Sequence, residues 1–195
     1  MKMRDALVIS MNESRWIHTY NLLQSQGVFD SVKRIIPKIR KNKIESFKQS
    51  HLSAIEFAQD NVWTYIFEDD IGVHTDLHYG KEMFKVENIS KKYPFIYGGV
   101  CCDFRCQKIN ERYHGMCSHA YAIFNKTLIL HTMKTSKYGK KDLIDFKLND
   151  LARLFKGVPV ISHNKKYHHD KQHKYPMVGM YYQNRSYFNV SVLWS

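Results

Sequence analysis

Glu68, Asp69 and Asp70 stand side by side in the segment Tyr65-Ile66-Phe67-Glu68-Asp69-Asp70-Ile71, directly after an apolar run of strand-forming residues. Adjacent carboxylates at the end of a buried strand repel one another and lose hydration, so the arrangement is costly without a positive partner. A hard divalent cation meets that need, because it takes oxygen ligands and can hold a substrate's phosphates at the same time. Two readings follow: a metal–diphosphate site at a strand's carboxyl end, or a solvated acidic turn.

Two other groups of residues carry chemistry with less specificity. His163, His168, His169, Asp170 and His173 crowd the C-terminal part, beside Lys165, Lys166, Lys171 and Lys174. One of the histidines could complete a metal shell, since imidazole suits Mn²⁺ and Zn²⁺. A solvated, pH-sensitive surface or a lid ordered by an anionic ligand are the other readings. Cys101, Cys102, Cys106 and Cys117 lie close together but do not form paired C-x-x-C knuckles, which favours reduced thiols over a zinc site.

The acids need a scaffold, and hydrophobic patterning supplies one. Residues 6–11 form a continuous apolar run, expected of a strand buried on both faces. Asn12 and Ser14 can cap a helix running to about Gln26 and closed by Gly27, with Trp16, Tyr20, Leu22 and Leu23 on its inner face. Residues 32–36 predict a second strand ended by Pro37, followed by a lysine-rich loop. A helix is expected from Ser46 or Ser50 to about Asn61, and a third strand over 62–67. Strand, helix, strand, helix, strand is the order of a parallel α/β sheet, in which ligands bind beyond the carboxyl ends of the strands. Both the loop at Ser10 to Arg15 and the acids belong at that edge.

Farther along, residues 95–100 predict a strand whose Gly98-Gly99 pair would permit close backbone approach by a ligand, or mark a bulge. Residues 118–124 predict a strand, 140–155 a helix, and 158–161 a last strand. No internal repeat or linker divides the chain. The expectation is one domain over 1–195, with nucleotide binding in about 1–100 and acceptor and catalytic groups in about 101–195.

Composition narrows the class. The chain has 195 residues, 44% of them hydrophobic and 14% aromatic, which fits a globular protein with one substantial core. No apolar run reaches the roughly 20 residues of a membrane span, and the N-terminus lacks a signal-peptide core. A cytoplasmic protein is expected, soluble or peripherally attached to a membrane. The formal net charge of +12 asks for an anionic partner. The basic residues are dispersed, with modest clusters at Lys38-Ile39-Arg40-Lys41-Asn42-Lys43, Lys91-Lys92, Lys140-Lys141 and Lys165-Lys166, and the aromatics lie in apolar runs, so nucleic acid is not the expected partner.

Several segments, in order, resemble glycosyltransferase family 25, which includes lipooligosaccharide and collagen galactosyltransferases. Val8-Ile9-Ser10-Met11-Asn12-Glu13-Ser14-Arg15-Trp16 is similar to the family's opening strand and loop, and Ser50-His51-Leu52 to its Ser-His-Leu segment. Phe67-Glu68-Asp69-Asp70-Ile71 matches its Glu-Asp-Asp run, and Ser118-His119-Ala120-Tyr121 resembles its His-Ala-Tyr strand. Asp142 and Asp145 stand where the family carries an acidic residue. The chain departs from the family in its short length, its Cys-rich segment and its basic, His-rich C-terminal part.

The resemblance implies a GT-A fold, a Rossmann-like and mostly parallel sheet flanked by helices, and inverting transfer from a nucleotide-diphosphate sugar, UDP-sugar foremost, to a glycan or glycoconjugate acceptor. Asp70, with Asp69 or Glu68 assisting, would hold Mn²⁺ or Mg²⁺; on residue type alone, His169 is the histidine that could complete the shell. Ser10, Met11, Asn12, Arg15, His51, Glu68, Asp69, Gly98 and Gly99 would bind the donor. Arg15 would contact phosphate or base, or else form a surface salt bridge; His51 would contact the donor, or else cap its helix. His119 reads as a core histidine. An inverting transferase also needs a carboxylate base, for which Asp145 is preferred to Asp142. The competing classes are a basic nucleic-acid-binding module and an inactive transferase-like partner domain.

Overall fold

The computed structural model describes residues 3–73, 78–89, 95–101, 108–109, 112–113, 116–135, 147–148, 158–159, 177–179 and 181–183. Its first half alternates strand and helix: β1 (Arg4–Ile9), α1 (Glu13–Gln24), β2 (Ser31–Ile35), α2 (Lys43–Phe57), β3 (Trp63–Glu68), β4 (Ile71–Val73) and α3 (Tyr79–Ile89). Then come β5 (Phe95–Cys101), β6 (Lys108–Ile109), β7 (Arg112–Tyr113), β8 (Met116–Ile123), α4 (Lys126–Thr135), β9 (Val158–Pro159), β10 (Met177–Gly179) and β11 (Tyr181–Gln183).

The main sheet has the order β10-β5-β8-β3-β1-β2. Its β2-β1-β3 portion is parallel, as the alternating pattern predicts. From β3 onward the pairings are antiparallel, with β8 inserted between β3 and β5. The sheet is therefore mixed, where the resemblance implied a mostly parallel one. Because β8 opposes both neighbours, β5 runs in the same direction as β1, β2 and β3. Those strands deliver their carboxyl ends to one edge.

Period-two alternation sorts the core. Leu7, Ile9, Ile66, Tyr97 and Tyr121 pack with Ala54 and Ile55 of α2 and Ile129 and Met133 of α4. Ala6, Val8, Tyr65, Phe67 and Ala120 pack on the other face with Leu23 of α1 and Tyr79 and Met83 of α3. Helices thus cover both faces, which is why these strands read as largely apolar runs. No helix among the described residues is long and apolar enough to cross a membrane.

Local chemistry explains where the elements differ from expectation. Helix α2 starts before Ser46, because the Asn42 side chain accepts from the Ile44 and Glu45 amides at 2.9 and 3.3 Å. Ser46 and Ser50, the expected starting points, are interior helix residues whose hydroxyls donate to the carbonyls of Asn42 and Ser46, four positions back. Helix α3 was not expected: Tyr79, Met83 and Glu87 are its buried positions at four-residue spacing, and a glutamate hides the stripe. Helix α4 was also unforeseen, although Asn125 caps it by accepting from the Leu128 amide at 2.8 Å. Of the expected helix 140–155, only Lys147 and Leu148 are described, both helical. Gly27, after α1, adopts a φ of 61° as anticipated for a helix-ending glycine.

Candidate functional site

Parallel pairing places Ile9 beside Glu68 and Ile35 beside Ile9, so β1, β2 and β3 end together. The Ser10 amide continues this edge by donating to the Ile35 carbonyl at 3.1 Å. Asn12 then caps α1, accepting from the Arg15 amide at 3.0 Å. The N-terminus of α1, with its partial positive charge, is held at the same edge as the acids.

Of the four residues expected on the inner face of α1, Leu23 is in the core and Trp16 and Leu22 pack against it, but Tyr20 does not. The buried positions of the helix are Arg15, Thr19 and Leu23, while Trp16 is half-buried and Tyr20 exposed. The spacing is the helical four, but the stripe turns from apolar to polar as it nears the sheet edge. There it meets Asp69. The Arg15 guanidinium lies 3.4 Å from the Asp69 carboxylate, and the Thr19 hydroxyl donates to the Asp69 carbonyl at 3.1 Å. Arg15 therefore has an internal anionic partner, where the sequence offered a ligand phosphate or a surface salt bridge.

Asp69 is only 8% exposed, and burial pushes its carboxyl above the ordinary range. The Ser10 hydroxyl and the Arg15 charge oppose that rise, whereas neighbouring Asp70 adds to it. The Ser10 hydroxyl sits between this carboxylate and the Asn12 carbonyl, 2.9 Å away. Asp69 and half-buried Asp70 form the turn between β3 and β4, and β4 is secured by antiparallel pairing with β11. The acids are thus clamped between two paired strands and the buried stripe of α1.

Glu68, the last residue of β3, faces a second polar group. His51 of α2 is fully buried, with Nε2 3.7 Å from Glu68 Oε1 and Nδ1 3.0 Å from the Tyr121 hydroxyl. Its ring stacks on Tyr121 and meets Phe47 edge-on. Burial lowers its pKa from 6.5 to about 3, so the imidazole is neutral and the contact with Glu68 is not an ion pair. A carboxylate near Nε2 favours the tautomer with hydrogen on that nitrogen, with Nδ1 accepting from Tyr121. His51 lies inside its helix, so it neither caps α2 nor presents itself to solvent.

The buried histidine makes stability depend on pH. The unfolded chain binds a proton near pH 6.5 and the folded one only near 3, so stability is fully present above 6.5 and falls as pH drops toward 3. Between pH 7 and 5 this group is expected to remove about 2 kcal/mol. Denaturation of wild type and His51→Gln at both pH values checks this: the variant should lose that part of the slope. An unchanged slope would contradict a neutral buried imidazole.

Gly98 and Gly99 lie within β5, at a register irregularity opposite Ala120, and Gly99 also pairs with Gly179. This is one row inside the acid edge, because Ala120 pairs with Phe67. The arrangement is the bulge that a glycine pair in a strand suggests. Met11 and Asn12 are exposed at the edge and Ser10 is buried. His119 is buried in β8, in keeping with a core histidine. Asp142, Asp145 and His169 lie outside the described residues. Among the described residues, no three His, Cys, Asp or Glu side chains form a metal cage.

Two participants escaped sequence reasoning. Thr19 could have been found as the residue four positions after Arg15, and Tyr121 as a polar aromatic in a strand that passes the acids.

No protein-family model matches the chain, and no curated protein matches it. Among solved structures it is similar to a glycosyltransferase involved in the glycosylation of the major capsid of PBCV-1, at 6% identity and a TM-score of 0.44. That likeness covers 69% of this chain and 68% of the other. It is also similar to mannose-6-phosphate isomerase from Helicobacter pylori, at 12% identity and a TM-score of 0.41, over 68% of this chain and 74% of that one. These two likenesses join different activities at low scores, so the functional reading rests on the site itself.

Proposed function

We propose that the chain is a glycosyltransferase of the GT-A type, related to family 25, that moves a sugar from a nucleotide-diphosphate donor to a hydroxyl of a glycan or glycoconjugate. The observation that carries this reading is the clamped Glu68-Asp69-Asp70 turn at the common carboxyl edge of β1, β2 and β3, beside the N-terminus of α1. Diphosphates suit such an edge, because a helix N-terminus favours anions. Carboxylates in the same place call for a cation between protein and phosphate.

The carboxylates of the turn are hard oxygen donors, which fits Mg²⁺ or Mn²⁺. Such ions are held by one or two carboxylates plus substrate phosphates and water, so a closed protein cage is not required. Asp70, half-buried in the turn, would be the principal ligand, with Asp69, Glu68 or His169 assisting. When bound, the cation would stabilise the charge of the departing nucleoside diphosphate.

The chain's own residues have separate tasks. Arg15 and Thr19 fix the Asp69 backbone and carboxylate, and so set the direction in which Asp70 leaves the turn. Ser10, Met11 and Asn12 would line the nucleoside pocket, mainly through backbone groups. A carboxylate, Asp145 or Asp142, would take the acceptor proton as the acceptor oxygen attacks the anomeric carbon and the bond to the diphosphate breaks. Attack opposite the leaving group gives inversion.

A panel of nucleotide-diphosphate sugars, tested with and without Mn²⁺, addresses donor and metal together. At saturation near a hundred times Kd, the correct donor is expected to raise Tm by about 5–10 °C with metal. A rise of the same size in EDTA would remove the metal from the reading, and no rise across the panel would remove the donor class.

A further inference from the structure

The loop that leaves β2 presents apolar side chains to water and surrounds them with positive charge. Ile36, Ile39 and Ile44 are 67, 76 and 53% exposed. Lys38, Arg40, Lys41 and Lys43 stand between them and are also exposed. From Ser31 to Ile44 the chain carries basic residues and no acid. Among the described residues, none of these four loop cations has a carboxylate within salt-bridge range.

The loop is held in this form by specific bonds. The Arg40 amide donates to the Ser46 hydroxyl at 2.7 Å, and Asn42 caps α2 through the Ile44 and Glu45 amides. Arg40 and the start of α2 are therefore tied together on either side of Asn42, with Ile39 just outside the tie and facing solvent. Single exposed isoleucines are ordinary on protein surfaces. Three in nine residues, interleaved with cations and fixed by capping bonds, form an amphipathic surface of the kind that enters a lipid interface.

We propose that residues 36–44 dock this protein on an anionic membrane surface, with the isoleucines entering the headgroup–acyl boundary and the cations meeting lipid phosphates. Charge alone would fit nucleic acid equally well, but a phosphate-lined nucleic-acid surface gives exposed isoleucines far less to bury against than an acyl layer does. A bilayer rewards both features. The loop leaves the sheet at the edge that carries the acid turn, because β2 is parallel to β1 and β3. Docking would therefore turn that edge toward the bilayer. The proposal does not depend on the sugar-transfer reading.

Flotation of the full chain with phosphatidylcholine vesicles, with and without about a quarter phosphatidylglycerol, tests it. Binding is expected only to the anionic vesicles and should weaken as salt is raised. Ile39→Ser is expected to weaken it about tenfold, by removing apolar area from the interface. Lys38→Gln with Lys41→Gln should weaken it more, at about fivefold for each charge. All these positions are exposed, and an unchanged Tm in each variant shows that the fold survives. Failure to bind anionic vesicles overturns the proposal. So does binding that Ile39→Ser leaves unchanged, or tighter binding to polyuridine than to vesicles at the same salt, since either reduces the loop to a charge patch.

Discussion

Asp70→Asn is expected to lower metal-dependent donor hydrolysis and sugar transfer by about a thousandfold or more, while leaving Tm equal to or above that of wild type. The rate effect would follow from losing the proposed ligand of the cation: about 4 kcal/mol of transition-state stabilisation corresponds to three orders of magnitude. The stability effect has the opposite sign from the usual one. Asp70 sits beside buried Asp69 and raises its carboxyl pKa by like-charge repulsion, so a neutral amide there relieves the turn. That pair of outcomes would separate a functional acid from a structural one. Asp69→Asn should lower stability instead, because it weakens the partner of the buried Arg15 guanidinium. Activity of Asp70→Asn within tenfold of wild type, measured by nucleotide release in Mn²⁺, would defeat the assignment.

The largest stability effect is expected at the other end of the sheet. Glu87 of α3 is fully buried and forms a two-point ion pair with Arg4 at the start of β1, at 2.6 and 3.0 Å. The Tyr65 hydroxyl of β3 donates to the same carboxylate at 2.9 Å. Burial works to lower the Arg4 pKa, but the hydrogen bonds and charge of Glu87 hold it above its ordinary value. Glu87→Ala leaves a buried guanidinium and a buried phenol without this partner, and should cost about 3–5 kcal/mol in urea denaturation. Replacing the pair together, Arg4→Met with Glu87→Leu, should recover most of that loss, because the desolvation cost disappears with both charges. Equal losses in the single and double variants would show that packing, not the ion pair, sets the cost. Donor affinity per folded molecule should not change in either, since the pair lies at the edge opposite the acids.

The same contrast shows what could be read from the chain. The runs at 6–11 and 62–67 were legible as buried strands because both faces of the parallel sheet are covered, and burial on two sides leaves only the small hydroxyls of Ser10 and Thr64 among their apolar residues. Asn12, Gly27 and Pro37 marked their boundaries through local backbone chemistry. Helix α3 was not legible, since Glu87 breaks its apolar stripe and is explained by Arg4 and Tyr65, 83 and 22 positions away in sequence. The antiparallel insertion of β8 was likewise hidden, because an apolar run carries no mark of its direction.

In the site, the acids were visible from residue type alone, as three carboxylates closing a strand. Their division of labour was not. Arg15 was a cation near a loop until the fold set it against Asp69. His51 was a polar residue in a Ser-His segment until burial made it neutral and placed it beside Glu68 and Tyr121.

By itself the sequence determined that an acidic turn closes a buried strand of an α/β protein, and that the chain as a whole is strongly basic. Strand burial, helix capping and charge repulsion act between near neighbours, so they are written locally. Only the tertiary structure decided which acid is engaged by an arginine, which histidine is kept neutral, and that an isoleucine-bearing basic loop shares the edge of the acids. Those outcomes depend on desolvation and on partners brought together across the sheet, which no local pattern encodes.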